Sequence, residues 1–441
     1  MIRFMDRMFL PVGQGAFYCE RFHNAEQGRN LNVVYDCGTL SGMCMLDREL
    51  NRVFAQDEII DAVFISHLHE DHFNGLERLS KRCKIQRIYL PCMETLGLRL
   101  MQLDYITRKH MTRRIYGEDI SEGFSDSVLD DPHEPNLDKN ILRDKLLRLI
   151  KPIGNDDHFD FRGRRVDRKE HIFFVGAPES PQEEVFVGSS HGSMMSFTWR
   201  YKAFSIMSED DEKVVIAGLK SLIPVKWRKD PEKGPLENLI AELIQKVKEE
   251  DKSVGERRKK GKKLPDLLNK IRNVYNRIGS NHFNVNSLML YSGCDKAPVP
   301  VIVGGFFDRT CPETHCCANG KTGCLYTGDF DAQKHWNELN SKLTQAEWQT
   351  IGCIQIPHHG SEGNFNNNFL NESIFPAPAP CHVISAGLGN QYLHPSKSVL
   401  KKYDNQKRCF PAVVTQDPRS LAAWFSYLRG AKGSDPFDTV H

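Results

Sequence analysis

The sequence of 441 residues lacks several features that mark whole classes of protein. It has no apolar run near the ~18 residues that a membrane span needs, so we expect no membrane-spanning helix and no membrane partner. Arg3 and Asp6 interrupt the apolar N-terminus too early for a signal peptide, which predicts a cytoplasmic protein. Lys and Arg (59) nearly balance Asp and Glu (57), and a net charge of +2 gives no overall electrostatic argument for a polyanionic partner.

Cysteine occurs thirteen times, yet it makes up only ~3% of the chain. Without a secretory signal, these cysteines are predicted to be reduced thiols, some of them bound to metal, rather than a disulfide framework. The remaining composition, 40% hydrophobic and 26% charged, is typical of a soluble globular protein. At ~100–200 residues per domain, the length predicts two to three domains.

Short apolar runs bounded by turns predict β-strands near both ends of the chain. They lie at Val33–Cys37, Ala62–Ser66, Ser287–Tyr291, Cys324–Thr327, Ile351–Ile356, His382–Ser385 and Ala412–Thr415. Between them, apolar spacing predicts helices over Glu94–Ile150, Leu236–Val247 and Leu267–Ile278, whereas Ile172–Ile223 is predicted to form strands. We therefore predict an α/β fold in which residues 1–93 and 281–441 form one domain and residues 94–280 form a large, mainly helical insertion.

The stretch Ser66–His72 carries the chemistry that stands out most in the sequence. It follows a predicted apolar strand and precedes a short predicted helix, so it lies in a strand-to-helix loop. Its four good metal ligands are His67, His69, Asp71 and His72. Imidazole nitrogens and carboxylate oxygens suit zinc, and manganese or iron as the carboxylate content rises. Because four such side chains within six residues are improbable by chance, we predict a metal site here.

The same stretch carries a family resemblance. His67-x-His69-x-Asp71-His72 resembles the defining motif of the metallo-β-lactamase-fold hydrolases. Five further segments resemble elements of that fold: Val12–Gly15, Tyr35–Gly38, Tyr326–Asp329 (its TGD strand end), Ile356–Ser361 (its PHHGS element) and Tyr392–Pro395 (a later histidine element). The last two resemble the branch with the hydrolase domain of bacterial DNA-uptake channel proteins and choline-phosphate esterases. The resemblance covers about residues 8–92 and 280–416, and it implies an αββα sandwich.

The resemblance also implies two divalent metal ions, zinc in the first place and manganese as the alternative. It implies that His67 and His69 bind one ion, while Asp71 and His72 bind the other. Asp329 is then the bridging ligand between the two ions.

Three positions in this assignment stay open. The resemblance implies that His358 completes the second metal site and that His359 faces the substrate, although the reverse assignment of these neighbours also fits. Many family members place a third ligand of the first ion on the strand before the TGD element, where this chain has Asn281–Ser287. Here His282 could bind the metal, Asn284 could bind it or lie just outside it and contact the substrate, or water could fill the position.

The ligand set predicts a hydrolase. Two ions about 3.5–4 Å apart share a water and lower its pKa, which gives a bridging hydroxide that attacks phosphorus or a carbonyl carbon. Asp71 could orient this hydroxide, so we assign it a catalytic role. His394 could donate a proton to the leaving group or contact a phosphate oxygen, and a structural histidine at a turn is the alternative.

The leading hypothesis for function is a nuclease or phosphodiesterase, because the PHHGS branch resemblance points to phosphoesters such as nucleic acid or a nucleotide. A carboxylic ester, lactone or thioester hydrolase would use the same metal chemistry. A third hypothesis is a regulatory or interaction module whose working surface is the 94–280 insertion. The insertion could also bind a protein partner that regulates a hydrolase, as in bacterial defence systems. The sequence does not indicate an oligomeric state.

Two further clusters have both a structural and a functional interpretation. Soft donors before the TGD element could hold a separate structural zinc ion or could be free thiols in a loop: Cys311, His315, Cys316, Cys317 and Cys324. Asp251–Lys263 carries a local charge of +5, from seven basic and two acidic residues. It is either an exposed tip between two helices or an arm that contacts phosphates, and Arg108–Arg114 is a second basic segment.

Overall fold

The computed structural model describes residues 2–24, 29–93, 95–116, 124–131, 137–151, 171–176, 184–187, 199–206, 209–222, 236–252, 266–277, 287–294, 303–306, 321–376, 379–404 and 411–427. Over these ranges the chain is a mixed α/β protein, which confirms the predicted α/β class. None of the helices in these ranges is long and apolar enough to cross a membrane.

Seventeen strands occur in the described residues. They are β1 (Ile2–Phe9), β2 (Phe17–Asn24), β3 (Leu31–Cys37), β4 (Glu58–Ile60), β5 (Ala62–Phe64), β6 (Cys83–Ile85), β7 (Ile88–Pro91), β8 (Ile172–Val175), β9 (Glu184–Val187), β10 (Trp199–Phe204), β11 (Met289–Cys294), β12 (Val303–Phe306), β13 (Gly323–Tyr326), β14 (Ile351–Gln355), β15 (Cys381–Ser385), β16 (Ala412–Val414) and β17 (Ala422–Tyr427). The strands predicted near both ends of the sequence are confirmed within a few residues.

The strands form two large sheets and one small sheet. The first sheet has eight strands in the order β12-β17-β1-β2-β3-β5-β7-β8, and the second has seven in the order β16-β15-β14-β13-β11-β10-β9. Strands β4 and β6 form a separate pair. Strands β3, β5, β7 and β8 are parallel, as are β13 to β16. Loops that follow parallel strands lie at one edge of a sheet, which is where ligands bind in open α/β sheets.

Twelve helices of the described residues cover these sheets. They are α1 (Met43–Val53), α2 (Glu70–Phe73), α3 (Leu76–Arg82), α4 (Thr95–Tyr116), α5 (Phe124–Leu129), α6 (Lys139–Leu147), α7 (Glu209–Leu222), α8 (Leu236–Lys252), α9 (Asp266–Arg277), α10 (Ala332–Lys342), α11 (Gln345–Thr350) and α12 (Lys397–Asp404). Helices α4 to α6, α8 and α9 lie where the apolar spacing predicted helices.

Alternating side chains divide the core into three layers. Tyr35 of the first sheet and Tyr326 of the second stack with ring centroids 5.0 Å apart, in a cluster that lies between the sheets. Val34 points to the other face, where helices α1, α3 and α4 pack. Leu325 likewise faces a third cluster with Trp336 of α10. The two sheets therefore face each other, and helices pack on their outer faces.

The middle of the chain differs from the prediction at one helix. Ile172–Ile223 was predicted to form strands, and β8 to β10 confirm this for its first part. Glu209–Leu222 is instead helix α7, so the prediction is wrong there. Its β-branched run indicated a strand, but the helix packs against α9 so closely that a Cβ on Gly218 would lie 2.6 Å from Val274. Tertiary packing therefore outweighed local propensity.

Partly buried ion pairs join the helices of the middle region. The carboxylate of Asp130, just after α5, contacts Lys109 of α4 at 2.8 Å and Lys248 of α8 at 2.9 Å. The basic segment predicted at Asp251–Lys263 lies outside the described residues from 253 onward. The side chains of the Arg108–Arg114 segment also lie outside them, apart from Lys109.

Candidate metal centre

The polar residues singled out in the sequence meet at the carboxyl edge of the two sheets. The stretch His67–His72 follows β5, Asp329 follows β13, and the pair His358–His359 follows β14. His394 lies in the loop after β15. The two parallel groups of strands thus deliver side chains that are far apart in sequence to one place.

Glycines let the backbone of neighbouring loops approach the His67–His72 stretch. A Cβ atom on Gly38 would lie 2.5 Å from the carbonyl carbon of Asp71 and from the amide nitrogen of His72. The amide of Ala16, next to Gly15, donates a 2.9 Å hydrogen bond to the Asp71 carbonyl. Only glycine fits so close an approach, so the glycine-rich turns can pack directly against the backbone of the His67–His72 stretch.

Asp36 and Ser66 fix the orientation of two histidines. The buried Asp36 carboxylate accepts hydrogen bonds from the Ser66 amide (2.6 Å), the Ser66 hydroxyl (2.8 Å) and His72 Nδ1 (2.7 Å). Because the Ser66 hydroxyl donates to Asp36, His67 Nδ1 donates to Ser66 Oγ at 2.9 Å. Both histidines therefore turn Nε2 away from these partners. Neither Asp36 nor Ser66 was predicted from the sequence as a residue of the site.

Asp329 lies at the centre of the cluster and is buried. Its Oδ1 lies 3.1 Å from His72 Nε2. Its Oδ2 lies 3.7 Å from His67 Nε2 and 3.5 Å from His358 Nε2. This carboxylate therefore reaches imidazoles from both halves of the chain.

The turn at His358 and His359 has a strained backbone. Their φ angles are 48° and 54°, a region that residues other than glycine rarely adopt, and Gly360 follows at 77°. His358 Nδ1 donates to the Asn364 side-chain oxygen at 2.8 Å, and His359 Nδ1 donates to the Ser385 carbonyl at 2.7 Å. His359 Nε2 lies 3.1 Å from Asp71 Oδ2. The turn thus points both Nε2 atoms toward carboxylates of the centre.

Among the described residues, two groups of side chains bring their ligand atoms close enough together to hold a metal ion. The first is His67, His72 and Asp329, and the second is Asp71, His72 and His359, each with ligand atoms within 4.8 Å of one another. The prediction that His and Asp residues of this loop could bind metal is therefore confirmed. The second group contains His359 and not His358. It therefore favours His359 as the ligand beside Asp71, which is the reverse of the assignment that the resemblance implies.

The donor set fits a divalent metal ion. His67 Nε2 is buried and makes no hydrogen bond within the described part of the chain. Four imidazoles hold Nδ1 in hydrogen bonds with outer partners and turn Nε2 inward, which is how proteins orient metal-binding histidines. Nitrogen and carboxylate donors in this mixture suit zinc or manganese. The His69 ring lies 4.4 Å from the His67 ring, beside the first group.

Charge at the centre also suits a cation. Burial, and then the neighbouring His72, lowers the pKa of His67 to about 3, so His67 is neutral as a metal ligand must be. Burial alone would lower the pKa of His72, but Asp329, Asp36 and Asp71 raise it well above the usual value. These three carboxylates concentrate negative charge that a divalent ion can neutralise.

His394 lies at the rim of the centre. Its ring is 5.4 Å from the His358 ring, and its residue is half-buried. Burial, and then His358, lowers the pKa of His394 to about 4, so the ring is neutral near pH 7. A neutral imidazole still carries one N–H that can donate a hydrogen bond.

Several predicted residues fall outside the described ranges. His282 and Asn284 are among them, so the third ligand of the first ion stays a prediction with its alternatives. The loop Cys311–Cys317 also lies outside them. Cys324 is described, and it is a buried free thiol in β13.

Part of the chain is similar to a known protein family. Residues 7–96 are similar to the family described as "Anti-Pycsar protein Apyc1". This match covers about a fifth of the chain and includes Asp36 and the His67–His72 stretch. No curated protein matches the chain.

Proposed function

We propose that the chain is a metal-dependent hydrolase of the metallo-β-lactamase-like αββα class that cleaves phosphodiesters in nucleotides or nucleic acid. The observation that carries this proposal is the inward turn of Nε2 in His67, His72 and His359 toward Asp71 and Asp329, with Nδ1 of each histidine already held. Two facing sheets with helices outside and a site at their carboxyl edge support the class. The PHHGS element and the later histidine support the phosphodiester substrate.

In this proposal each side chain has a defined task. The residues that would hold two divalent ions, zinc or manganese, are His67, Asp71, His72, Asp329 and His359, with His69 and His358 beside them. When bound, such ions supply Lewis acidity and a water of lowered pKa.

Asp71 and His394 act on the solvent side of the centre. Asp71 is 14% exposed, so one oxygen can accept a hydrogen bond from the attacking water. The N–H of His394 can donate a hydrogen bond to a phosphoryl oxygen or to the leaving group. Both side chains would therefore position the reacting groups.

A combined metal analysis and substrate screen tests the proposal. Wild-type protein loaded with Zn²⁺ or Mn²⁺ is offered bis(p-nitrophenyl) phosphate, DNA, RNA and 3′,5′-cyclic nucleotides. We expect turnover of at least one of them, and loss of both turnover and bound metal in Asp71→Ala/His72→Ala. His23→Gln is the control because His23 is 38% exposed, pairs with Asp6 and has no contact with the centre. Metal-loaded wild type that cleaves no phosphodiester would contradict the proposal.

A further inference from the structure

Large apolar side chains that stay exposed are concentrated beside the metal centre. Within the described ranges, four of the five that are exposed lie in two loops at its edge: Leu40 (37%), Leu388 (65%), Tyr392 (49%) and Leu393 (82%). The fifth is Val214 in α7. Scattered exposed apolar residues are ordinary, but a concentration of them marks a binding surface. We call these four residues the apolar lip.

Hydrogen bonds join the two loops of the apolar lip into one surface. The Leu40 amide donates to the Gln14 carbonyl at 2.6 Å, and the Gly387 amide donates to the Gln14 side-chain oxygen at 3.3 Å. The Leu388 amide donates to the side chain of Gln416 at 2.8 Å. The Leu40 and Leu388 loops are therefore held side by side.

The apolar lip is continuous with the metal centre. The Tyr392 ring lies 6.1 Å from the His394 ring and nearly parallel to it, at 16°. The His394 ring lies 5.4 Å from that of His358. Asn390 fixes this loop, because its side-chain oxygen accepts from the amides of Tyr392 (3.1 Å) and His394 (3.0 Å). A substrate whose phosphate lies at the centre would therefore have its organic part next to Tyr392.

The chemistry of the two loops indicates what kind of group they contact. Neither residues 386–395 nor residues 38–43 contain Asp, Glu, Lys or Arg. A surface without charge and with one aromatic ring suits a flat, neutral group that can stack. An acidic or basic partner would find no complementary charge in these loops.

We propose that the apolar lip binds the nucleobase of the substrate by stacking on Tyr392 and that it sets substrate preference. This inference rests on the proposed phosphodiesterase function, which it makes more specific. Stacking on one aromatic ring changes affinity by roughly 10-fold or more, so the lip can separate phosphodiesters with a base from those without one.

The test compares two substrates with the same phosphodiester ring. One is a 3′,5′-cyclic nucleotide, and the other is ribose 3′,5′-cyclic phosphate, which lacks the base. In Tyr392→Ala we expect KM for the nucleotide to rise by roughly 10-fold, while kcat and the KM for the base-free substrate stay within about 2-fold of wild type. Leu393→Ser should give a smaller rise with the same pattern. Val214→Ser is the matched control for removing an exposed apolar side chain.

The outcomes separate the inference from the function on which it rests. Equal KM values for the two substrates in wild type, or no selective change in Tyr392→Ala, would refute nucleobase binding by the apolar lip. Neither result would contradict the proposed phosphodiesterase function. Cleavage of neither substrate, together with turnover of p-nitrophenyl octanoate, would overturn both and favour an acyl substrate. Sedimentation showing that Leu393→Ser dissociates a dimer would identify the lip as an interface and overturn its role in base binding.

Discussion

Asp36 offers the most direct test of how the centre is held. Its carboxylate is buried, its φ angle is 57°, and it accepts three hydrogen bonds from Ser66 and His72. Asp36→Asn preserves the size of the side chain, and Asn tolerates this left-handed backbone region well. The amide, however, replaces one acceptor oxygen by an NH2 group that has to face a donor.

The magnitude follows from these contacts. Hydrogen bonds to a charged group contribute about 1.5–3 kcal/mol each, and the amide keeps one acceptor oxygen, which can serve at most two of the three donors. We expect the free energy of unfolding to fall by about 2–3 kcal/mol. Because Asp36 orients His72 directly and His67 through Ser66, metal affinity should fall by about 10- to 100-fold.

The assay is a competition titration of Zn²⁺ against a chromophoric chelator, with urea unfolding of the same samples. Asp61→Asn is the matched control, because Asp61 is also buried and accepts from Arg29 and from the Asn32 amide, each at 2.9 Å. Asp61 precedes β5, whereas the histidine loop follows it. The control should lose stability and keep its metal affinity. Unchanged affinity in Asp36→Asn, or an equal loss in both variants, would refute the reasoning.

Two further substitutions probe the loop support and the middle region. Gly38→Ala places a Cβ 2.5 Å from the backbone of the His67–His72 stretch. We expect it to lower the free energy of unfolding in urea by about 2–3 kcal/mol and to weaken metal binding. Gly97→Ala is the control, because its Cβ would make only an ordinary contact, and it should change neither quantity. Burial alone would raise the pKa of Asp130, but the two lysines that contact it lower that pKa. Asp130→Asn should therefore lose about 1–2 kcal/mol near pH 7, and its difference from wild type should shrink as pH falls below ~4, since the ionised carboxylate stabilises the fold only above that range. A difference in urea midpoint that is constant from pH 7 to pH 3 would contradict this.

The sequence predicted the parts of the site that follow local patterns. The histidine loop could be placed because Ala62–Phe64 is a short apolar run and polar ligands follow it directly. Asp329, which follows β13, was predicted from the resemblance of Tyr326–Asp329 to the TGD strand end. Asp36 is harder to find, because neither the resemblance of Tyr35–Gly38 to the family fold nor a carboxylate at the end of a buried strand indicates what that carboxylate does. Its role depends on contacts with residues about 30 positions away.

Adjacent residues cannot be told apart by spacing alone. His358 and His359 are consecutive, so the sequence allowed either one to accompany Asp71. The decision lies in backbone angles: with φ positive at both residues, His359 Nδ1 meets the Ser385 carbonyl and its Nε2 meets Asp71. Those angles depend on how the turn packs, for example on Gly360, where a Cβ would lie 2.9 Å from Pro395.

The sequence predicts region 94–280 as an insertion, and the described parts of this region contribute strands to the same two sheets as the rest of the chain. Strand β8 pairs with β7 and extends the first sheet, while β10 pairs with β11 and extends the second. Helix α5 contacts the chain just after the His67–His72 stretch, where the Phe124 amide donates to the Asn74 carbonyl at 3.2 Å and the Phe124 ring packs on Phe73. The boundaries at 94 and 280 stay predictions. Because this region contributes strands to both sheets and contacts the helix that carries Asp71 and His72, we expect a change in its packing to shift the side chains of Asp71 and His72.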